Sequence, residues 1–172
     1  NMTAMAGECA DGIRLHPVVT TKYIDEEVLP NLARGAARAG RDVDEVEVCL
    51  KPLIGTAPDE AQLEQVIRTV RARCAFYLST PSYRRAFAIH GWEDRAREAS
   101  EYSRAGRWEE MPDLVDDDML HTIATIGTYD QIADKLNERF ASRLDRVEFS
   151  GPVNSPEAAE AFREILGRLE RS

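Results

Sequence analysis

The sequence predicts an α/β protein in which the strands of the sheet run parallel. Short apolar runs alternate along the chain with longer helical patterns, and several of the helices begin at recognisable capping residues. Strands that are separated by helices of this length form βαβ units, and such units build parallel sheets. These two observations favour one α/β domain over an all-helical or an antiparallel fold.

Helices are expected where residue periodicity and terminal signals agree. Thr21 begins a long helix with acidic residues in its first turns, and Gly40 ends it. Thr128 and Gln131 have the spacing of a capping box, and Ser155 caps the last helix. The predicted helices cover residues 2–10, 21–39, 59–78 and 128–140 and the segment after Ser155.

Strands are predicted at residues 13–18, 46–54 and 146–150, and all three alternate between apolar and polar side chains. A parallel strand that is covered on both faces is normally almost continuously apolar. The polar set therefore faces water in an open sheet, or the lumen of a closed barrel that holds paired charges. Lys51 is expected to pair with Glu47 or Glu148, although it could also neutralise an anionic coenzyme.

The segment from Thr80 to Gly127 is predicted to be a helical insertion before the last strand. Thr80 and Pro81 form a cap and first position of a short helix, and Gly91 ends it. With 172 residues, the whole chain 1–172 is expected to form a single domain.

Composition excludes several classes of function. A formal net charge of −9 argues against a nucleic-acid partner, and the chain has no apolar run long enough to span a membrane. Cys9, Cys49 and Cys74 lack CxxC spacing, so neither a disulfide framework nor a metal site is predicted, and a cytoplasmic location fits. Each cysteine is expected to be a small core residue. The absence of nucleophile–base or phosphate-loop motifs is consistent with chemistry carried out by a cofactor.

Five segments in the same order resemble the luciferase-like monooxygenase family. Residues 6–12 read Ala-Gly-Glu-Cys-Ala-Asp-Gly, similar to a signature that follows the fifth strand in that family. The segments at residues 15–17, 76–83 and 90–92 resemble a subgroup that is assigned to deazaflavin coenzymes. Residues 126–133 resemble the start of a late helix of the family.

The resemblance implies an eight-stranded (β/α) TIM barrel, of which this chain would supply about strands six to eight. A complete barrel needs roughly 250 residues, so strands one to five would lie outside the chain. Such a part leaves sheet edges unpaired, which predicts a homo-oligomer or association with the missing N-terminal part.

The implied function is that of an oxidoreductase that transfers a hydride between deazaflavin coenzyme F420 and a small organic substrate. The part alone is expected to be inactive. Two alternatives stay open: an FMN-dependent monooxygenase of the same fold, and a non-catalytic fragment or interaction domain.

The resemblance also implies a site at the ends of the strands. His16 is the candidate catalytic residue, and its alternative role is structural, at the end of a strand. Thr20 is equally suited to cap its helix, while His90 and His121 are expected to be structural. The implied coenzyme contacts are Asn1, Met2, Thr3, His16, Pro17 and Thr20 around the phosphate, and Ser150 and Gly151 near the ring.

Overall fold

The computed structural model describes residues 2–151 and 153–169. In these ranges the α-helices are α1 (Met2–Cys9), α2 (Thr21–Tyr23), α3 (Leu29–Ala39), α4 (Glu60–Ser79), α5 (Arg84–Ala88), α6 (Glu93–Arg104), α7 (Asp117–Ile123), α8 (Ile132–Phe140) and α9 (Pro156–Arg168). The strands are β1 (Gly12–Leu15), β2 (Glu47–Leu50), β3 (Leu53–Ala57), β4 (Ala124–Thr128) and β5 (Arg146–Val147). None of the helices in these ranges is long and apolar enough to cross a membrane.

The sheet that contains the three predicted strands is parallel throughout. Its order is β1-β2-β5, with β2 in the centre. Leu50 of β2 pairs with Leu15 on one side and with Val147 on the other, so all three strands are in register at their carboxyl ends. The α/β class and the parallel pairing predicted from the sequence are confirmed.

A second parallel sheet pairs β3 with β4. The single strand predicted at residues 46–54 is in fact two, because Pro52 has no N–H to donate and restricts the residue before it. Strand β4 was not predicted: residues 124–127 were assigned to the helical insertion, and that assignment is wrong. Every residue of β4 is buried, so the strand lacks the alternation that would have revealed it.

The long helix that begins at Thr21 is not α-helical throughout. Residues Ile24–Val28 are π-helical, and Leu29 N donates to Ile24 O across this segment. Pro30 explains the change, because its ring would clash with the carbonyl four residues earlier in a regular α-helix. Gly40 ends the helix with a positive φ of 67°, as predicted.

Helices α1 and α3 cross at very short distance through two glycines. A Cβ placed on Gly35 would lie 1.8 Å from Ala4 O, and one placed on Gly7 would lie 2.2 Å from Leu32 O. Gly7 belongs to the segment that resembles the family signature, and its role here is to let two helix backbones touch. The crossing fixes α1 against the helix that follows β1.

Two apolar clusters hold the elements together. One packs the insertion and α4 against β3 and β4, and the other packs β1 and β2 under the α3, α8 and α9 helices. Of the three cysteines only Cys74 is a buried core residue, since Cys49 is half-buried and Cys9 is exposed. Burial raises the pKa of the Cys74 thiol to about 12, which makes this thiol inert.

Replacement of Gly35 by alanine is expected to lower the free energy of unfolding by about 1–3 kcal/mol, because the added methyl group forces α1 away from α3. The matched control is Gly167→Ala in α9, where a Cβ would meet no atom within 4 Å. That control should raise stability by about 0.5–1 kcal/mol, the usual gain of alanine over glycine in a helix. Urea unfolding measures both, and equal effects at the two positions would contradict the close crossing.

Candidate functional site

The strand register brings several predicted site residues to one edge of the sheet. Because Leu15 and Val147 lie level across β2, the residues that follow them, His16 and Glu148, leave the sheet at the same edge. They are two strand spacings apart, or about 10 Å. Ser150 lies two residues beyond Glu148.

The imidazole of His16 is held between two tyrosine rings, one from the end of α4 and one from the insertion. It stacks on Tyr83 with ring centroids 4.2 Å apart and meets Tyr77 edge-on at 5.1 Å. Its Nδ1 accepts a hydrogen bond from Val18 N at 3.4 Å. Within the described part of the chain its Nε2 makes no hydrogen bond, so this nitrogen is the one available to a ligand.

Burial lowers the pKa of His16 below its ordinary value of 6.5. The ring is therefore neutral near pH 7, and since Nδ1 accepts, the proton is assigned to Nε2. Neutral His16 can donate one hydrogen bond to a ligand oxygen or ring nitrogen. Because the folded protein favours the neutral ring, protonation of His16 lowers the free energy of unfolding. This loss begins as the pH falls below 6.5 and is absent at higher pH.

Thr20 is completely buried and caps the helix that starts at Thr21. Its Oγ1 accepts from Tyr23 N at 3.2 Å and lies 2.8 Å from Nε2 of His90. The His90 ring in turn stacks on Trp92. A direct contact between a coenzyme and the Thr20 hydroxyl would require the insertion to move away from it.

The other predicted coenzyme contacts lie in separate places. Asn1 lies outside the described residues, Met2 is exposed in the first turn of α1, and Thr3 is half-buried beside it. Ser150 and Gly151 line an open cleft of about 420 Å³ against α9. A Cβ on Gly151 would lie 2.6 Å from the ring of Phe162, so the backbone here packs directly on that helix.

The polar face of the three-stranded sheet carries two ion pairs. Arg14 binds Glu148 through two hydrogen bonds of 2.5 and 2.7 Å, and Arg146 lies 3.0 Å from Glu47. These side chains and Cys49 line an open cleft of about 510 Å³. The alternation predicted from the sequence is confirmed. Arg14 and Arg146 bind the two carboxylates predicted as partners of Lys51, which acts on Glu148 through its charge and forms no salt bridge within the described residues.

The ion pair with Arg14 holds the pKa of Glu148 at about 2, far below the ordinary range of a carboxyl group. Burial, together with the same carboxylate, raises the pKa of the Cys49 thiol, whose Sγ lies 3.5 Å from Glu148. Cys49 is therefore a thiol at neutral pH and is no nucleophile.

Sequence reasoning did not assign roles to Tyr77 and Tyr83. Both belong to a segment that resembles the deazaflavin-associated subgroup, but their contact with His16 joins residues more than sixty positions apart. His90 was expected to be structural, and in the structure its Nε2 contacts Thr20, one of the predicted site residues. Of the two tryptophans in the insertion, Trp108 is exposed, whereas Trp92 packs against the core cluster of the insertion and α4.

Comparison with known proteins identifies the family. Residues 1–146 match the model of the family described as luciferase-like monooxygenase. The chain belongs to the luciferase-like monooxygenase family. The resemblance noted in the sequence is thereby confirmed.

Relatives of known sequence and structure extend this assignment. Uncharacterised proteins of Mycobacterium bovis and Mycobacterium tuberculosis are 42% identical over 146 residues, which is 85% of this chain and 43% of theirs. The 5,10-methylenetetrahydromethanopterin reductase of Methanopyrus kandleri is 26% identical over 97% of this chain and 46% of its own.

A solved structure of the coenzyme F420 dependent tetrahydromethanopterin reductase from Methanopyrus kandleri superimposes with a TM-score of 0.73. It is 26% identical, and the match covers 96% of this chain and 46% of that one. The chain therefore spans less than half the length of the relatives that it matches.

The substitution Tyr83→Ala is expected to raise the pKa of His16 towards 6.5, because it exposes the stacked face of the imidazole to water. An NMR titration of the histidine ring protons measures this. Tyr102→Ala is the matched control: Tyr102 also packs on the insertion core but has no contact with His16. An unchanged His16 titration in Tyr83→Ala would show that the stacking does not shield the ring.

Proposed function

We propose that this chain forms part of an oxidoreductase that transfers a hydride between deazaflavin coenzyme F420 and a small organic substrate. The observation that carries the proposal is the structural match, over 96% of the chain, to a reductase described as coenzyme F420 dependent. Family membership and the sequence match to a reductase of the same organism support it.

The residues at the strand ends are compatible with binding a polar, planar coenzyme. His16 offers a neutral imidazole with a free Nε2, positioned by Tyr83, at the edge where all three strands end. Pro17 follows it half-buried, and Ser150 and Gly151 leave backbone exposed at the end of β5. When bound, the coenzyme supplies the hydride chemistry, and the protein's part is to orient it and to exclude water.

In this proposal His16 donates a hydrogen bond from Nε2 to the coenzyme or to a substrate oxygen. Tyr83 and Tyr77 keep the imidazole neutral and fix its plane. Thr20 contributes indirectly, because its hydroxyl caps the helix and holds His90 of the insertion. Met2, Thr3 and Asn1 remain proposed phosphate contacts.

The proposed partner is the part of the barrel that corresponds to the relatives' unmatched length. In the described part of the chain, β1 and β5 each pair on one side only, so two sheet edges carry unpaired backbone groups. Further parallel strands would pair with these edges and would cover the polar face. A second copy of the chain is the alternative partner that would pair with these edges.

In the complete barrel, His16→Ala is expected to weaken F420 binding about ten- to a hundred-fold, the usual effect of losing a hydrogen bond to a charged group. His90→Ala should have a much smaller effect. His16→Phe separates the roles of the ring, because it keeps the stacking on Tyr83 but removes Nε2. Fluorescence titration with F420, and in parallel with FMN, measures these affinities.

Equal F420 affinities for wild type and His16→Ala would remove His16 from the site. Binding of FMN but not of F420 would overturn the F420 proposal and support the FMN-dependent alternative. The 172-residue chain alone should bind F420 weakly or not at all, and tight binding by it would show that the pocket lies elsewhere.

The purified 172-residue chain is expected to form a dimer or a larger species, or to retain the N-terminal part when both are co-expressed. The reason is that the open edges of β1 and β5 and the polar face are available for pairing. Light scattering coupled to size-exclusion chromatography measures the mass. A soluble monomer that persists at high concentration and ignores the co-expressed part would contradict this.

A further inference from the structure

A cleft of about 390 Å³ lies away from the strand ends, and its walls are basic. It is formed by α7, β4, α8 and the start of the helix at Thr21. None of the residues proposed above for the coenzyme lines it. The side chains that matter here are those of Thr21, His121, Thr125, Lys135, Arg139 and Arg143.

The charge of this cleft is opposite to that of the chain. The chain has a formal net charge of −9. The cleft, in contrast, is lined by the three cations Lys135, Arg139 and Arg143, and among the described residues Glu138 is the one carboxylate that lines it. Lys135 and Arg139 are four residues apart on α8 and therefore share one face of that helix.

Arg139 is a partly buried cation that lacks a counter-charge among the described residues. Within the described part of the chain its guanidinium donates only to uncharged oxygens, and no ion pair includes it. Burial lowers its pKa to about 10. The carbonyls that it contacts satisfy its N–H groups and carry the partial charge of a helix end, but they do not neutralise a full positive charge. A bound anion would stabilise this arrangement.

Lys135 and Arg143, which line the same cleft, each have a hydrogen-bond donor that no described residue uses. Lys135 Nζ donates to Ile126 O at 2.8 Å and to Gln131 Oε1 at 3.2 Å, which leaves one of its three protons. Arg143 uses Nε on Asp25 and Nη1 on Arg139 O, and its Nη2 makes no hydrogen bond within the described residues.

We propose that this cleft binds the phosphate group of a small phosphomonoester. Within the described residues, Lys135 and Arg143 each offer one unused donor and Arg139 adds an unpaired positive charge, a combination that suits a phosphate dianion. The cleft volume lies in the range of small-molecule sites, so it has room for an organic part beside the phosphate. The proposal is independent of the coenzyme assignment, because it uses a different cleft.

Isothermal titration of the 172-residue chain with glycerol 3-phosphate tests the proposal, with inorganic phosphate and glycerol as comparison ligands. Glycerol 3-phosphate is expected to bind more tightly than inorganic phosphate, glycerol is expected not to bind, and added salt should weaken binding. Lys135→Met should reduce the affinity about tenfold or more. The matched control is Lys22→Met, since Lys22 also donates to a carbonyl at 2.8 Å but does not line the cleft.

Lys135 also supports β4 through Ile126 O, so circular dichroism must show that Lys135→Met is folded. If it is not, His121→Gln replaces it: His121 is exposed and lines the cleft, and its side chain makes no hydrogen bond to the residues that the structure describes. Absence of glycerol 3-phosphate binding would overturn the proposal. Equal losses of affinity in the cleft variant and in Lys22→Met would also overturn it. Glycerol 3-phosphate binding that is no tighter than inorganic phosphate binding would overturn it too, because it would indicate a simple anion site.

Discussion

The position of every candidate residue at the strand ends depends on the parallel pairing of β2 with both of its neighbours. Leu50 is fully buried and stands level with Leu15 and Val147, and its carbonyl accepts from Glu148 N at 2.8 Å. A shift of one residue on either side would turn the polar face inward and the apolar face outward. The register therefore determines both which side chains are buried and which meet at the carboxyl edge.

The insertion completes the site that the register creates. It supplies Tyr83, which stacks on His16 beside Tyr77 of α4, and the histidine that meets Thr20. Lys22 adds a further link, since its ammonium group donates to Ile89 O. Because these contacts join distant parts of the chain, the protonation state of His16 depends on the packing of a segment that does not belong to the main sheet.

Local signals in the sequence were sufficient for much of the fold. The caps Thr20, Asp59 and Ser155 all begin helices, and strand alternation identified the polar face. Strand β4 gave no such signal, because a strand that is buried at every position cannot be distinguished by periodicity from a buried helical turn. The arginine partners of Glu148 and Glu47 were not predicted for a related reason: ion pairs across a sheet depend on register, which the sequence does not reveal.

The site was less predictable than the fold, because its chemistry arises from contacts between distant residues. Arg139 has the spacing of an ordinary residue on an amphipathic helix, and only its hydrogen bonds to carbonyls at the end of α7 show that its charge is partly withdrawn from solvent. Likewise, Tyr83 could be noted as part of a family-like segment, but its stacking on His16 could not.

The ion pairs on the polar face bear on how this chain would join a larger barrel. Exposed pairs such as Arg14–Glu148 and Arg146–Glu47 contribute little to the stability of the chain that carries them. Their value lies elsewhere: each charge already has its partner, and the Arg14 pair is bidentate. Burying unpaired charges under further strands would be very costly, whereas covering preformed pairs costs less because much of the lost hydration is already replaced. A sheet face that is charged yet internally neutral is therefore well suited to become the interior of a closed barrel.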